Sequence, residues 1–309
     1  MPRPPSNDVA AQPLRPLRKT IATAAVAATL LGAVGQADAD VRWPSGVACS
    51  GGDFGTWRGT PIDVVSSWAP WKGGTWTEMY NWASGSNPRS LNSKAPEVSV
   101  GLGLFPRGMS LAACAAGDYK DEHRTIGSRL AANGGGDFFV RLGWEASNGS
   151  YPWTAVGKPA EQWKACFTNA AQALKSGAPD LRIVWHMAKK GKINVNTIWP
   201  GSVVDAVGVS HYDDGQARFG TETSGGSPWG LMAWADFAAG KGVKLVMAEW
   251  GMRDNPDNTT YFQRMHDFFH AAGAKIGHEA YFNCGNEQKI YPASGGDFPQ
   301  ASARYRELW

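Results

Sequence analysis

The feature that most limits what this chain can fold into is a recurrence. Short, almost wholly apolar runs return along the sequence, separated by stretches of helical pattern. The runs are GVACSG (46–51), TWTEMYNW (75–82), EVSVGLGLF (97–105), DFFVRLGWE (137–145), LRIVWHMA (181–188), VVDAVGVSHYD (203–213), VKLVMAEWG (243–251) and GHEAYFNC (277–284). Strands that are apolar almost throughout are strands covered on both faces, as in a parallel sheet wrapped by helices. Helical periodicity fits PAEQWKACFTNAAQALKSG (159–177) and NTTYFQRMHDFFHAAG (258–273), the second ending in Gly273 as a C-cap. Helices also fit 120–133, 228–240 and 299–308, while the second and fifth connections carry no clear pattern.

Eight strands alternating with helices over roughly 265 residues predict an α/β fold, a single (β/α)8 TIM barrel, which needs about 250. No strand is followed by G-x-G-x-x-G, which argues against a doubly wound dinucleotide-binding sheet. No Gly- or Ser-rich linker and no repeat divides the chain.

The first 39 residues are set apart from that domain. Arg15, Arg18 and Lys19 precede the apolar TIATAAVAATLLGAV, and Ala37-Asp38-Ala39 offers a small-residue cleavage site. This is the layout of a secretory signal peptide (1–39), leaving 40–309 as the catalytic domain of an extracellular protein. Removing 1–39 takes away Arg3, Arg15, Arg18 and Lys19 against Asp8 and Asp38, so the formal net charge falls from +3 to +1. A nearly neutral chain has no electrostatic case for nucleic acid or an anionic membrane as partner and points to an uncharged substrate. It is expected to act as a monomer, without a cofactor. Cys49, Cys114, Cys166 and Cys284 remain, an even count that favours two disulfides in an exported chain, and no Cys-x-x-Cys suggests a zinc site. In a barrel the first and last strands are neighbours, which pairs Cys49 with Cys284 and leaves Cys114 for Cys166.

Active sites of this fold lie where strands end and βα-loops begin. Glu145 closes the fourth strand and Glu249 the seventh, each beside a Trp. A carboxylate after a run such as Leu245-Val246-Met247-Ala248 is expensive to bury without a partner or a job. Two opposed carboxylates are what glycoside hydrolysis needs, one to protonate the leaving oxygen and one to attack or to activate water.

The segment RLGWEASNGSYPW (141–153) resembles the acid/base segment of glycoside hydrolase family 26, in which Arg, a Glu followed by Asn-Gly, and an aromatic-Pro-Trp occur together. VVDAVGVSHYD is similar to that family's strand-six segment ending in Tyr, and VMAEWG to its nucleophile strand. The resemblance spans most of 40–309 and implies a retaining (β/α)8 hydrolase. It implies Glu145 as acid/base, Glu249 as nucleophile and Tyr212 as a hydrogen-bond donor to that nucleophile. Three departures stand out: Trp144 where relatives carry His, two residues (Ala146, Ser147) rather than one before Asn148-Gly149, and VWHMA in place of a Trp-Asn-Pro strand end. They mark a divergent member.

Fifteen Trp are available for stacking on sugars. Those at expected strand ends or in the following loops are Trp57, Trp82, Trp144, Trp153, Trp185, Trp229 and Trp250, with Trp144, Trp153, Trp185 and Trp250 the chosen sugar-binding candidates. Asn148, His211 and Asp53 are polar candidates at similar positions. HDFFH (266–270) spaces two His four apart, but on a helix outside the barrel, where a zinc site is not expected. A serine hydrolase is disfavoured by the lack of G-x-S-x-G. The sequence thus predicts a secreted retaining glycosidase that cuts a neutral β-linked polysaccharide, such as β-mannan, β-glucan or β-xylan. The alternatives are a bacterial cell-wall glycan as substrate, or a non-catalytic carbohydrate-binding barrel.

Overall fold

The computed structural model describes residues 43–49, 52–73, 75–189, 191–285, 288–296 and 298–309. The signal-peptide segment lies outside them. Eight parallel strands close into a barrel: β1 (Ser45–Ala48), β2 (Val64–Trp68), β3 (Glu97–Leu102), β4 (Phe139–Leu142), β5 (Arg182–Ala188), β6 (Ala206–Asp213), β7 (Lys244–Met252) and β8 (Ile276–Phe282). Each pairs with the next in sequence, and β8 pairs with β1 through Ser45–Glu279 to Ala48–Phe282. The chain is therefore the (β/α)8 barrel that its alternating pattern requires.

The helices are α1 (Gly52–Arg58), α2 (Trp76–Ser84), α3 (Asn87–Asn92), α4 (Leu111–Ala116), α5 (Lys120–Ala132), α6 (Ala160–Gly177), α7 (Leu231–Gly240), α8 (Thr259–Ala272) and α9 (Pro299–Leu308). One predicted element changes type. TWTEMYNW is not the second strand but helix α2, and β2 is the earlier segment VVSSW. The aromatic and Thr content of 75–82 reads as β-prone, yet Met79, Trp82 and Ala83 are the residues it buries, a helical i, i+3, i+4 face. Val64 and Val65 supply the β-branched pair that β2 needs, in a strand too short to stand out by periodicity.

Both expected disulfides are present, Cys49–Cys284 and Cys114–Cys166. The first joins the segments that follow β1 and β8, stapling the barrel seam on the side where the strands end. The second ties α4 to α6.

Along β7 the pairing with β6 slips: Gly208 faces Val246, but His211 faces Trp250, so β7 advances four residues where β6 advances three. The extra residue is a bulge, and it changes which way the strand's later side chains point. Val246 clusters with Val184, Ala206 and Phe139, the inward set of their strands. Three residues on, regular alternation would turn Glu249 outward. With the bulge Glu249 reaches Arg141 and Tyr212, which share parity with Phe139 and Ala206.

Candidate active site

Glu249 is 8% exposed, and its carboxylate is held on both oxygens. Arg141, on β4, donates from Nη1 to Oε2 at 3.1 Å, and Tyr212, on β6, donates its hydroxyl to Oε1 at 2.7 Å. Arg141 is fully buried and placed by further bonds from Nη2 to Ser66 Oγ and Ser67 O, both 2.9 Å, with its guanidinium 4.8 Å over the Trp68 ring. Burial pulls this guanidinium down from its ordinary value and Glu249 draws it back up; a guanidinium remains charged in such a setting. Burial, reinforced by the Glu145 carboxylate, pushes Glu249 up to about 7, against the downward pull of Arg141 and Tyr212. The two acids therefore feel each other across the barrel mouth. Burial, then the charges of Glu249 and Glu145, push Tyr212 well above its ordinary value, so it stays a donor.

Glu145 lies three residues past β4, in the turn that follows it. Gly143 has φ 57°, open to a residue without Cβ, but Glu145 itself has φ 52°, a left-handed conformation that costs a non-glycine residue roughly 1–3 kcal/mol. Surrounding bonds hold it there. The Glu145 N–H donates to His186 Nδ1 at 3.0 Å, its carbonyl accepts from Asn148 N–H at 2.7 Å, and Asn148 Nδ2 donates to Glu145 Oε2 at 3.1 Å. The next amide, Ala146 N–H, donates to the His186 carbonyl at 3.1 Å. Burial, with Arg141 nearby, keeps His186 well below its ordinary pKa, so the ring is neutral and Nδ1 is free to accept. Gly208 makes room for it: a Cβ there would stand 2.4 Å from His186 Cδ2.

Glu145, Asn148 and Tyr212 line a cleft of about 280 Å³ at the barrel mouth. Tyr151 faces the same acids; burial and then the Glu145 charge push its hydroxyl up to about 12. Half-buried Phe282 packs against both Trp68 and Tyr212, at 5.4 Å and 5.7 Å between ring centroids.

The structure thus gathers Glu145, Glu249, Tyr212 and Asn148 at the mouth. It sends the other candidates elsewhere. Trp144 is 3% exposed and Trp153 fully buried, 4.5 Å apart, with Trp153 Nε1 donating to the Trp144 carbonyl. Both brace the turn that carries Glu145. Trp185, Trp250 and His211 are fully buried in the shell between barrel and helices. Trp185 stacks on Phe237, Trp250 packs against Tyr281 and Trp309, and His211 Nδ1 sits 3.0 Å from the Tyr261 hydroxyl. Alternation explains this: the residue beside an inward Glu249, Tyr212 or His186 points outward. Asp53 is exposed in the first turn of α1, a position its charge favours at a helix N-terminus. Arg141, His186, Tyr151 and Ser66 were not among the candidates. Arg141 and His186 carried a legible signal, a polar residue in an otherwise apolar strand. His266 and His270, with Nε2 atoms 3.1 Å apart, lie on α8 against Trp43, away from the mouth. Among the described residues no group of three His, Cys, Asp or Glu is placed to hold a metal.

No family model matches the chain, and neither does any curated protein. Solved structures do resemble it. The catalytic domain of a family 26 endo-β-1,4-mannanase from Bacillus sp. JAMB-750 is 11% identical over 86% of this chain and 85% of its own, with a TM-score of 0.61. A modular endo-β-1,4-mannanase of family 26 from Cellulomonas fimi is 14% identical, covering 85% and 70%, with a TM-score of 0.59. A family 53 catalytic domain from Ignisphaera aggregans is 13% identical, covering 87% and 96%, with a TM-score of 0.54. At such identities the likeness is one of fold, the (β/α)8 barrel.

Proposed function

We propose that the chain is a secreted, retaining glycoside hydrolase that cuts a β-linked polysaccharide by double displacement, as a divergent relative of family 26. Glu249 attacks the anomeric carbon and forms a glycosyl-enzyme; Glu145 protonates the departing oxygen and then takes a proton from the incoming water. The observation that carries this reading is the unequal setting of the two acids. Glu249 receives Arg141 and Tyr212, donors that favour its ionised form, while Glu145 receives only an amide from Asn148 among the described side chains. Burial and the Glu145 charge raise Glu249 to about 7, and Arg141 and Tyr212 pull it back toward the ionised form that attacks. Tyr151 and Asn148 are placed to orient the sugar at the bond that breaks. Two disulfides suit an oxidising compartment, in keeping with export.

The test is chemical. Products from soluble β-mannan, β-glucan and β-xylan are followed by proton NMR, with Glu145→Ala and Glu249→Gln alongside. The expected first product has the β configuration, both variants lose about a thousandfold or more in kcat, and azide restores turnover to Glu145→Ala as a β-glycosyl azide. An α first product, or wild-type rates in either variant, would overturn the mechanism.

A further inference from the structure

The barrel mouth is chemically divided. Beside Arg141 and Tyr212 it is aromatic, with Trp68 and Phe282, the kind of surface on which the apolar face of a sugar stacks, and Tyr151 faces both acids. The cleft beside Glu145 is different. Tyr212 is the one aromatic residue that lines it, and three cations, Lys189, Lys192 and Arg253, line it with two acids, Glu145 and Asp214. They arrive from separate loops, after β4, β5, β6 and β7, so the grouping is made by the fold and not by a run in the sequence.

The charges are not equivalent. Lys189 is 7% exposed, and its ammonium donates to the Tyr212 carbonyl at 2.5 Å and to the Asp214 carboxylate. That pair is internally satisfied and fixes the β6 loop. It also removes Asp214 as a free negative charge. Lys192 is exposed, and among the described residues no carboxylate pairs with it. Arg253 is exposed as well, with only a loose contact to Asp254, 3.8 Å from its Nε, and Asp254 does not line the cleft. With Lys189 and Asp214 paired, the cleft holds two exposed cations, Lys192 and Arg253, and one remaining carboxylate, Glu145.

We propose that this cleft binds a sugar residue bearing a carboxylate, a uronate of the polysaccharide being cut, and that Lys192 and Arg253 select it. The inference rests on the hydrolase reading and sharpens its substrate class. The near-zero charge of residues 40–309 does not oppose it, because whole-chain charge averages over a surface on which this cleft is a small part. A carboxylate there meets two cations that line one concave site, so that their attractions add at the same place. A neutral sugar would find hydrogen-bond partners in the cleft and, for stacking, only Tyr212.

The experiment compares β-glucan and β-mannan with their C6-oxidised, uronate-containing forms. Hydrolysis by the wild type is measured on all four, and binding of their oligosaccharides to Glu249→Gln is measured by calorimetry, which does not depend on turnover. The expected result is a preference for the carboxylated form of roughly tenfold or more in kcat/KM or Kd, falling as salt rises. In Lys192→Glu/Arg253→Glu, both exposed positions, that ratio drops to about one or below. Equal use of parent and oxidised glycans by the wild type, or a ratio the double variant does not change, would overturn the proposal. If the wild type cleaves none of the four while Glu249→Gln still favours the carboxylated ligand, the hydrolase reading fails and the uronate cleft stands.

Discussion

Removing one oxygen, in Tyr212→Phe, isolates what holds Glu249 toward its ionised form. The hydroxyl donates to Glu249 Oε1 at 2.7 Å, and the ring itself packs on Phe282, so the change deletes a hydrogen bond without opening a cavity. A bond to a charged acceptor is worth about 1.5–3 kcal/mol, which is roughly one to two pH units on the carboxylate it stabilises. Glu249 stands at about 7 with the bond in place, so without it the carboxyl should titrate near 8–9 by the same conversion. The acid limb of kcat/KM against pH, read by reducing-end release from soluble polysaccharide, moves up by that amount. Activity at pH 7 falls roughly five- to fiftyfold, and part of it returns at alkaline pH. Stability supplies a second readout. Glu249 holds its proton more tightly folded than unfolded, so its contribution is fully present below the ordinary carboxyl range and is lost as pH rises through about 7. In Tyr212→Phe that loss extends to higher pH, which urea unfolding at pH 5, 7 and 9 would reveal. A variant whose rate falls equally at every pH, with the limb unmoved, would refute the argument.

Two further outcomes follow from the same geometry. His186→Phe removes the acceptor for the Glu145 N–H and leaves a buried donor unpaired, an expected loss of about 1–3 kcal/mol in stability and of tenfold or more in kcat/KM; His186→Asn, whose oxygen can stand near the Nδ1 position, should recover part of both, and no recovery would argue that His186 acts only by filling space. Cys114→Ala/Cys166→Ala frees a 52-residue separation, which the chain-entropy account values at about 4 kcal/mol, so calorimetry should record a Tm lowered by roughly 8 °C or more, and an unchanged Tm would discard the bridge as a stabilising element.

Much of the barrel was legible because its strands are covered on both faces and so read as apolar runs. Seven of the eight were placed within a few residues. The failure at β2 is instructive: VVSSW has two β-branched residues and then polar ones, and the Ser66 hydroxyl is spent on Arg141 rather than on filling the core, while Ser67 lends only its backbone carbonyl. A strand that serves the site loses the pattern by which strands are recognised. The acids were legible as carboxylates at strand ends, and Tyr212 through the family resemblance. The neighbouring Trp and His residues at 185, 211 and 250 were not separable by strand-end position alone, because parity decides which of two adjacent residues faces the mouth. At β7 a bulge resets that parity, and a bulge leaves no mark in KLVMAEWG.

The site is also where the fold is least at ease with itself. Glu145 sits in a left-handed conformation, Glu249 is an acid whose burial opposes its charge, and Arg141 is a fully buried cation. Each is unfavourable alone, and each is tolerable through one of the others or through a dedicated partner: Arg141 through Glu249 and the β2 serines, Glu145 through His186 and Asn148. The β7 bulge is what allows this, since without it Glu249 would face the helices and Arg141 would be a buried charge with no counter-ion, a state that costs several kcal/mol. The arrangement of the two acids and the stability of the barrel therefore depend on the same irregularity. The Cys49–Cys284 staple lies on the same side, joining the segments after β1 and β8. Closing the seam there restrains the mouth against the relaxation that the strained, charged site would otherwise favour. By this reasoning the disulfide at the seam protects geometry at Glu145 and Glu249, and the one between α4 and α6 protects the outer shell.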